Sequence, residues 1–182
     1  LIMRYAGPRG LLDPLKLLAT LENPKESTRS YDEVLTRALE LAPTVGVRQE
    51  LIARYASNVP SADRQHELLR DGAQTAELLG NMERAQRFYE QIWNGSSGSS
   101  ASSTDYAALL ASARLLLELG SLEAARTQAN RVMNASFEGP LQRGAARLLA
   151  RIDRMEGKTG AALERLRGLA NTRPLRLVDP AT

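Results

Sequence analysis

The chain has no cysteine and a single histidine, His66. Without cysteine there is no disulfide framework, no thiol nucleophile and no thiolate metal site. With one histidine as well, most nucleophile and base pairings are missing. No run approaches 18 consecutive apolar residues, so no segment reads as a membrane-spanning helix. The opening Leu1-Ile2-Met3-Arg4 is too short and too soon broken for an export signal. A start at Leu1 rather than Met points to a fragment or a processed form. Aromatic residues are only 4 % of the chain. β-Branched residues are also few, whereas Ala, Leu, Arg and Glu, the strong helix formers, dominate. The composition points to an all-α chain.

Apolar residues make up 43 % and charged residues 25 % of the 182 positions, ordinary globular usage that excludes wholesale disorder. A chain of this size buries roughly 70 % of its unfolded surface, enough for one continuous core without staples. Lysine occurs only at Lys16, Lys25 and Lys158, which leaves 21 arginines. That bias suggests a GC-rich bacterial genome and carries no mechanism. The net charge of +3 is unevenly spread. Residues 139–182 carry nine basic against four acidic side chains, so a basic C-terminal end follows a slightly acidic body.

Three segments align: Gly80-Asn81-Met82-Glu83-Arg84-Ala85, Gly120-Ser121-Leu122-Glu123-Ala124-Ala125 and Gly157-Lys158-Thr159-Gly160-Ala161-Ala162. Each is a glycine followed five residues later by alanine, and each lies between two amphipathic stretches. Ahead of Gly120, Tyr106, Leu109, Leu110, Ala113, Leu116 and Leu117 fall on one helical face; after it Leu122, Ala125, Ala129, Val132 and Met133 do the same. Leu141, Ala145, Leu148, Leu149, Ile152 and Met155 form the stripe ahead of Gly157, with Ala162, Leu166, Leu169 and Ala170 after it. Around Gly80 the stripes are Leu69, Ala73 and Ala76, then Met82, Ala85, Tyr89, Ile92 and Trp93. Each unit reads as helix, tight turn at glycine, helix, with a small alanine where the two helices cross closely.

This pattern resembles the tetratricopeptide repeat (TPR) family. The family's turn glycine, early alanine and later large apolar residue fall on Gly80, Ala85 and Tyr89; on Gly120, Ala125 and Ala129; and on Gly157, Ala162 and Leu166, with Pro174 closing the last unit. The family's early tryptophan and Leu-Gly pair are absent, and the glycines stand 40 and 37 residues apart rather than 34, so the repeats are degenerate. The resemblance implies a TPR-like α-solenoid of stacked antiparallel helix pairs. Residues 66–182 hold three such units, interrupted by Gly95-Ser96-Ser97-Gly98-Ser99-Ser100-Ala101-Ser102-Ser103, a Gly/Ser connector expected to be flexible and either natural or engineered. Residues 1–65 form a less regular helical region. Within it, Asp13-Pro14 marks a helix start, and Ser30-Tyr31-Asp32-Glu33 is a capping box opening the stripe Tyr31, Val34, Leu35, Ala38, Leu41 and Ala42. A cryptic repeat over about 12–43 is expected from these signals. Thr44 to Asn58 and Ser61 to Leu79 read as two further helices, and Asp71-Gly72 is a candidate break in the second.

Catalytic and cofactor motifs fail on inspection. His66-Glu67-Leu68-Leu69-Arg70 lacks the second histidine of a zinc-protease helix. Gly157-Lys158-Thr159 ends like a phosphate-binding loop, but Ile152 stands where that motif needs glycine. Gly95-Ser96-Ser97-Gly98-Ser99 has serine at the last glycine of a nucleophile elbow. The carboxylate pairs Asp32/Glu33 and Asp153/Glu156 alternate with arginines and read as solvated, salt-bridged helix surface. No metal or cofactor is expected.

Arg143, Arg147, Arg151 and Arg154 recur along one helix face, opposite Leu148, Leu149 and Ile152. In TPR proteins the first helix of each unit lines a concave groove, and the resemblance places Arg147, Arg151 and Arg154 there. The matching positions are Arg70, Gln74 and Glu77 in one unit and Leu110, Arg114 and Leu117 in the next. The candidate partner-binding residues are therefore Arg147, Arg151, Arg154, Arg114 and Arg70. Such a surface suits an acidic peptide or a chain-terminal carboxylate held by guanidinium contacts, and a solvated arginine face, or one paired with Asp153 and Glu156, is the competing expectation. Tyr89 and Trp93 read as stacked core residues, and Phe88, if exposed, as an anchor for a partner. The expected function is a non-catalytic protein-binding scaffold, with a bacterial envelope or assembly factor ahead of a eukaryotic co-chaperone and the periplasm or envelope slightly ahead of the cytoplasm. The alternative is a helical accessory or regulatory domain of a larger enzyme. Nucleic acid is not an expected partner, because the arginines lack interleaved aromatics.

Overall fold

The computed structural model describes residues 22, 31–95, 101–135 and 139–171. Among the described residues the regular elements are eight α-helices and one 3-10 turn, Ala56–Asn58, with no strand. The all-α class expected from composition holds. The helices are α1 (Tyr31–Glu40), α2 (Val45–Tyr55), α3 (Ala62–Leu78), α4 (Met82–Gly95), α5 (Ser103–Glu118), α6 (Leu122–Met133), α7 (Pro140–Met155) and α8 (Thr159–Asn171). α3 runs unbroken through Asp71-Gly72. The chain divides into two compact units, with the division between Gly72 and Ala73. The expected helix start at Asp13-Pro14, the Ser30 end of the capping box, most of the cryptic unit over 12–43, and Pro174 lie outside the described residues.

In the first unit α1 packs on α2. Val34, Leu35, Ala38 and Leu39 of α1 and Leu51, Ile52 and Tyr55 of α2 are buried, while Leu41, expected in the stripe, is exposed. Thr44 caps α2: its hydroxyl oxygen accepts the Val47 N–H at 3.2 Å, one of the helix's orphan donors. The Tyr31 hydroxyl donates to the Tyr55 carbonyl at 3.3 Å and accepts from Asn58 Nδ2 at 3.2 Å, which fixes the chain as it leaves α2.

The second unit is built on three copies of one backbone turn. Gly80, Gly120 and Gly157 take φ of 75°, 80° and 77°, the left-handed region where a side chain would be strained. At each, the glycine N–H reaches back three residues (to Glu77, Leu117 and Arg154) and the next N–H reaches back five (to Ala76, Leu116 and Asp153), at 2.8–3.1 Å. These are paired helix-ending bonds that satisfy the orphan carbonyls of the first helix. Asn81, Ser121 and Lys158 then accept, through their carbonyls, the N–H of Ala85, Ala125 and Ala162, closing the first turn of the second helix. The five-residue glycine-to-alanine spacing in the sequence is therefore one turn geometry used three times. All three alanines are buried.

Consecutive helices pack in order, α4 on α5, α5 on α6, α6 on α7 and α7 on α8, and α5 also packs on α7. Two clusters fix the directions. At the start of α5, Leu109 meets Val132 of α6 and Ala145 of α7, with Tyr106 and Leu141 against them. At its end, Ala113 and Leu117 meet Ala125 and Ala129 of α6 and Leu148, Leu149 and Ile152 of α7. α5 thus runs antiparallel to α6 and parallel to α7. Small residues make the close crossings. Ala73, Ala113 and Ala150, each seven residues before a turn glycine, are buried, and a Cβ on Gly144 would stand 2.7 Å from Leu110 Cδ2.

The Gly/Ser insert is shorter in structural terms than its sequence suggests. Gly95 is the last residue of α4, and Ser102 is the N-cap of α5 with both halves of a capping box. Ser102 Oγ accepts the Asp105 N–H at 3.3 Å, and the Asp105 carboxylate accepts the Ser102 N–H at 2.6 Å. Only 96–100 of the insert lie outside the described residues, so the expectation of a flexible connector is corrected at its two ends.

Ala125 of α6 is fully buried where α5, α6 and α7 meet, so replacing it with leucine overpacks the site. Ala125→Leu is expected to cost on the order of 1–3 kcal/mol, read as a lower melting temperature, whereas Ala124→Leu, on the exposed side of the same turn, leaves it unchanged. Equal melting of wild type and Ala125→Leu removes this position from the crossing.

Candidate functional site

α7 is amphipathic in the strict sense: one face supplies Ala145, Leu148, Leu149 and Ile152 to the core, and the opposite face carries Arg143, Arg147, Arg151 and Arg154, all exposed. No ion pair joins these four arginines to any described acidic residue. The acids next to them in sequence are engaged elsewhere. Asp153, expected on a solvated surface, is only 2 % exposed. Its Oδ1 accepts from Arg126 Nη1 of α6 at 2.8 Å and its Oδ2 from Arg165 Nε of α8 at 2.7 Å. Glu156 accepts from Arg126 Nη2 at 2.6 Å and pairs with Lys158 at 2.8 Å. The network ties α6, α7 and α8 together and leaves the arginine stripe with no acidic neighbour from its own helix.

The electrostatics follow from that geometry. Burial pushes the Asp153 carboxyl up, but hydrogen bonds and charge from Arg126 and Arg165 outweigh it and hold the group below its ordinary value. Glu156 is held low by hydrogen bonds from Arg126 first and Lys158 second. The Arg126 guanidinium is raised by its bonds to Glu156 and Asp153. Both members of the α6–α7 contact are therefore ionised across the neutral range.

The remaining sequence-predicted residues are distributed differently. Arg114, on α5, is half-buried and engaged: its Nη2 donates to Glu77 Oε2, and its Nη1 stands 3.6 Å from Glu118. Tyr89 donates its hydroxyl to the other Glu77 oxygen at 2.9 Å. Glu77 and Arg114 neutralise one another across neighbouring first helices. Leu110 is part-buried against α7 and Leu117 is in the core, so neither stands free in a groove. Arg70 is exposed in the first unit, and Gln74 is exposed on the remaining stretch of α3. The structure thus gathers Arg147, Arg151 and Arg154 on one face with Arg143 and assigns Arg114 to an ion pair.

Phe88 is not an exposed anchor but a core residue, 2 % exposed. The buried arc of α4, which holds Ala85, Gln86, Phe88, Tyr89 and Ile92, is wider than one stripe and takes in Phe88 as well as Tyr89. Trp93 meets Tyr106 of α5 edge-on, with ring centroids 5.2 Å apart, rather than Tyr89. The first unit holds a cavity of about 280 Å³, but its arginines are spoken for. Arg48 pairs with Asp71 at 2.9 Å, and Arg64 pairs with Asp32 at 3.2 Å and Glu67 at 2.7 Å. His66 is half-buried. Among the described residues no group of three or more His, Cys, Asp or Glu could hold a metal ion, and no helix is long and apolar enough to cross a membrane.

No family model, no curated protein and no solved structure matches the chain.

The ion network makes an acid prediction. Because the native pKa of Asp153 lies below the unfolded value of about 3.9, its stabilisation is complete above that value and is lost as pH falls from there toward the native one. Asp153→Asn leaves Arg126 and Arg165 facing a neutral amide and is expected to destabilise by on the order of 3 kcal/mol at pH 7. The variant's denaturation midpoint should fall less steeply than the wild type's between about pH 5 and pH 2; parallel acid profiles would show that the carboxylate contributes nothing to the fold.

Proposed function

We propose that the chain is a non-catalytic scaffold of the TPR type, a solenoid of stacked helix pairs that holds an acidic peptide or protein segment on the face presented by its first helices. Three observations support the array. One glycine-centred turn recurs in one register, small residues mark each crossing, and α5 packs in parallel on α7 across the intervening α6. Repeat units of this kind bury their apolar faces only against neighbours and leave an extended surface for binding.

The observation that carries the binding reading is the stripe on α7, unpaired among the described residues. Four arginines with like charge on one helix face repel one another, and the neighbouring acids Asp153 and Glu156 are committed to Arg126, Arg165 and Lys158. An acidic ligand supplies what the helix lacks, with each guanidinium able to grip a carboxylate through two N–H groups. Arg147, Arg151 and Arg154 are the contact residues in this reading. Arg114 has a share only if the ligand competes with Glu77.

A fluorescein-labelled glutamate-rich peptide, titrated at two salt concentrations, tests it. Arg147→Glu with Arg151→Glu is expected to leave the helical spectrum intact and weaken binding at least thirtyfold, about 2 kcal/mol, while wild-type affinity falls as salt rises. Random-sequence DNA serves as the competitor: a steep linear fall of log affinity with log salt would mark a nucleic-acid binder instead. Peptide binding that the double reversal leaves untouched removes these arginines from the site.

A further inference from the structure

The register of the described units says where a further helix would pack. Counting from each turn glycine, the residues six, nine and thirteen positions on are Gln86, Tyr89 and Trp93 in α4 and Arg126, Ala129 and Met133 in α6. In both helices this face reaches the next first helix, although the Tyr89 hydroxyl donates to Glu77 of the preceding first helix, α3. Gln86 donates to Ser112 of α5 at 3.5 Å and Trp93 meets Tyr106 of α5. Arg126 binds Asp153 of α7, and Ala129 and Met133 pack in the α5–α6–α7 clusters. In α8 the same three positions are Leu163, Leu166 and Ala170, and they are exposed, the two leucines by 49 % and 44 %.

The first helices repeat the same relation. The residue three before the turn glycine meets the following first helix twice: Glu77 binds Arg114 of α5, and Leu117 packs on Leu148, Leu149 and Ile152 of α7. The residue ten before the glycine does so once, as Leu110 against Gly144 of α7. In α7 these positions are Arg154 and Arg147, both exposed and without a described acidic partner. Among the described residues nothing occupies this berth, and one side of it is apolar while the other is cationic.

We infer that the trough between α7 and α8, lined by Leu163, Leu166 and Ala170 on one side and Arg147 and Arg154 on the other, docks an acidic amphipathic helix from a partner protein. The inference rests on the scaffold reading and moves two of its arginines from a groove to the end of the array. Charge complementarity selects the occupant. A helix with apolar residues at i, i+3 or i+4 and i+7 covers the leucines, and carboxylates along its flank meet Arg147 and Arg154, as Glu77 meets Arg114 one unit earlier. A second copy of this chain presenting its own α7–α8 end would bring arginine against arginine.

The probes are a labelled 17-residue amphipathic peptide with a leucine face and glutamate flanks, and a matched peptide with lysine for every glutamate. The intact chain is expected to bind the glutamate helix and to bind the lysine helix at least tenfold more weakly. Leu163→Gln with Leu166→Gln, a pair already exposed and so not needed by the fold, is expected to weaken glutamate-helix binding tenfold or more at unchanged melting temperature. Arg147→Ser with Arg154→Ser should do the same and flatten the salt dependence. Equal binding of both helices, or binding indifferent to the leucine pair, overturns the proposal. If the leucine pair is silent while Arg147→Glu with Arg151→Glu abolishes binding, the docking trough fails and the groove reading stands. Concentration-dependent dimers of the chain alone, lost in the leucine pair, assign the trough to a second copy and overturn the proposal. Binding that appears only after removal of residues 172–182 assigns it to the chain's own C-terminal segment, with the same consequence.

Discussion

The second unit depends on a backbone constraint, the left-handed glycine that ends each first helix. At Gly80, Gly120 and Gly157 the turn must reverse the chain in the fewest residues while satisfying the carbonyls it exposes. Only a residue without a Cβ enters that conformation at no steric cost. Once it is set, the phase of the second helix relative to the first is fixed, because the residue after the glycine already accepts the first bond of the next helix. The alanine four residues further on then falls at the crossing every time. Packing register is therefore an outcome of the turn, and the equivalence of positions across units, on which the vacant berth at α8 is argued, is physical rather than a matter of alignment.

Close crossings remove the need for large side chains. Ala73, Ala113, Ala150, Ala125 and Ala129 are buried to completion or nearly so, and leucines from α7 fill the space that aromatics would otherwise occupy. This is how a chain with 4 % aromatic residues builds a core. Polar contacts enter the same layer: Gln86 with Ser112, and Arg126 with Asp153 and Glu156. Burying Asp153 costs desolvation, and three well-made charge-assisted contacts around Asp153 and Glu156 offset it. Such a network adds little net stability compared with an apolar triad. It does penalise any slip of α6 against α7, since a slip would leave a buried charge unmatched.

The features of this fold that are legible in the sequence are those that local chemistry decides. The glycine and alanine spacing, the stripes on α5 and α6, the α7 stripe as far as Ile152 and the exposure of Arg143, Arg147, Arg151 and Arg154 all follow from helical periodicity and turn stereochemistry, whereas Met155, Leu166 and Ala170, expected in the stripes of α7 and α8, are exposed. What periodicity does not reach depends on neighbours. Asp153 and Arg154 are adjacent in sequence, yet one is buried and the other exposed, because α6 and α8 approach one side of α7 and bring Arg126 and Arg165 with them. Phe88 lies off the stripe that periodicity finds on α4, yet it is buried with Tyr89 in a wider arc than one stripe. Ala73 and Ala113 stand in the apolar stripes, but Ala150 lies off the stripe of α7, and only the packing shows that all three are buried seven residues before a turn glycine. Ser102 looks like linker because it ends a serine-rich run; only Asp105, three residues on, marks it as a cap.

The same distinction bears on the arginines. A helix face read alone shows only that four guanidiniums are aligned, and solvation is then a sufficient account of them. The structure adds the fate of their counter-ions. Asp153 turns inward, and Glu156 turns to Arg126 and Lys158. Glu77, the acid at the corresponding position of an earlier unit, is held by Arg114 and Tyr89. A solvated face needs no vacancy beside it, yet Arg147 and Arg154 sit at the register where earlier units receive a helix, next to leucines that have lost their cover. On the proposed docking reading, the arginines of α7 and the half-exposed leucines of α8 are two walls of one site rather than separate features of a surface.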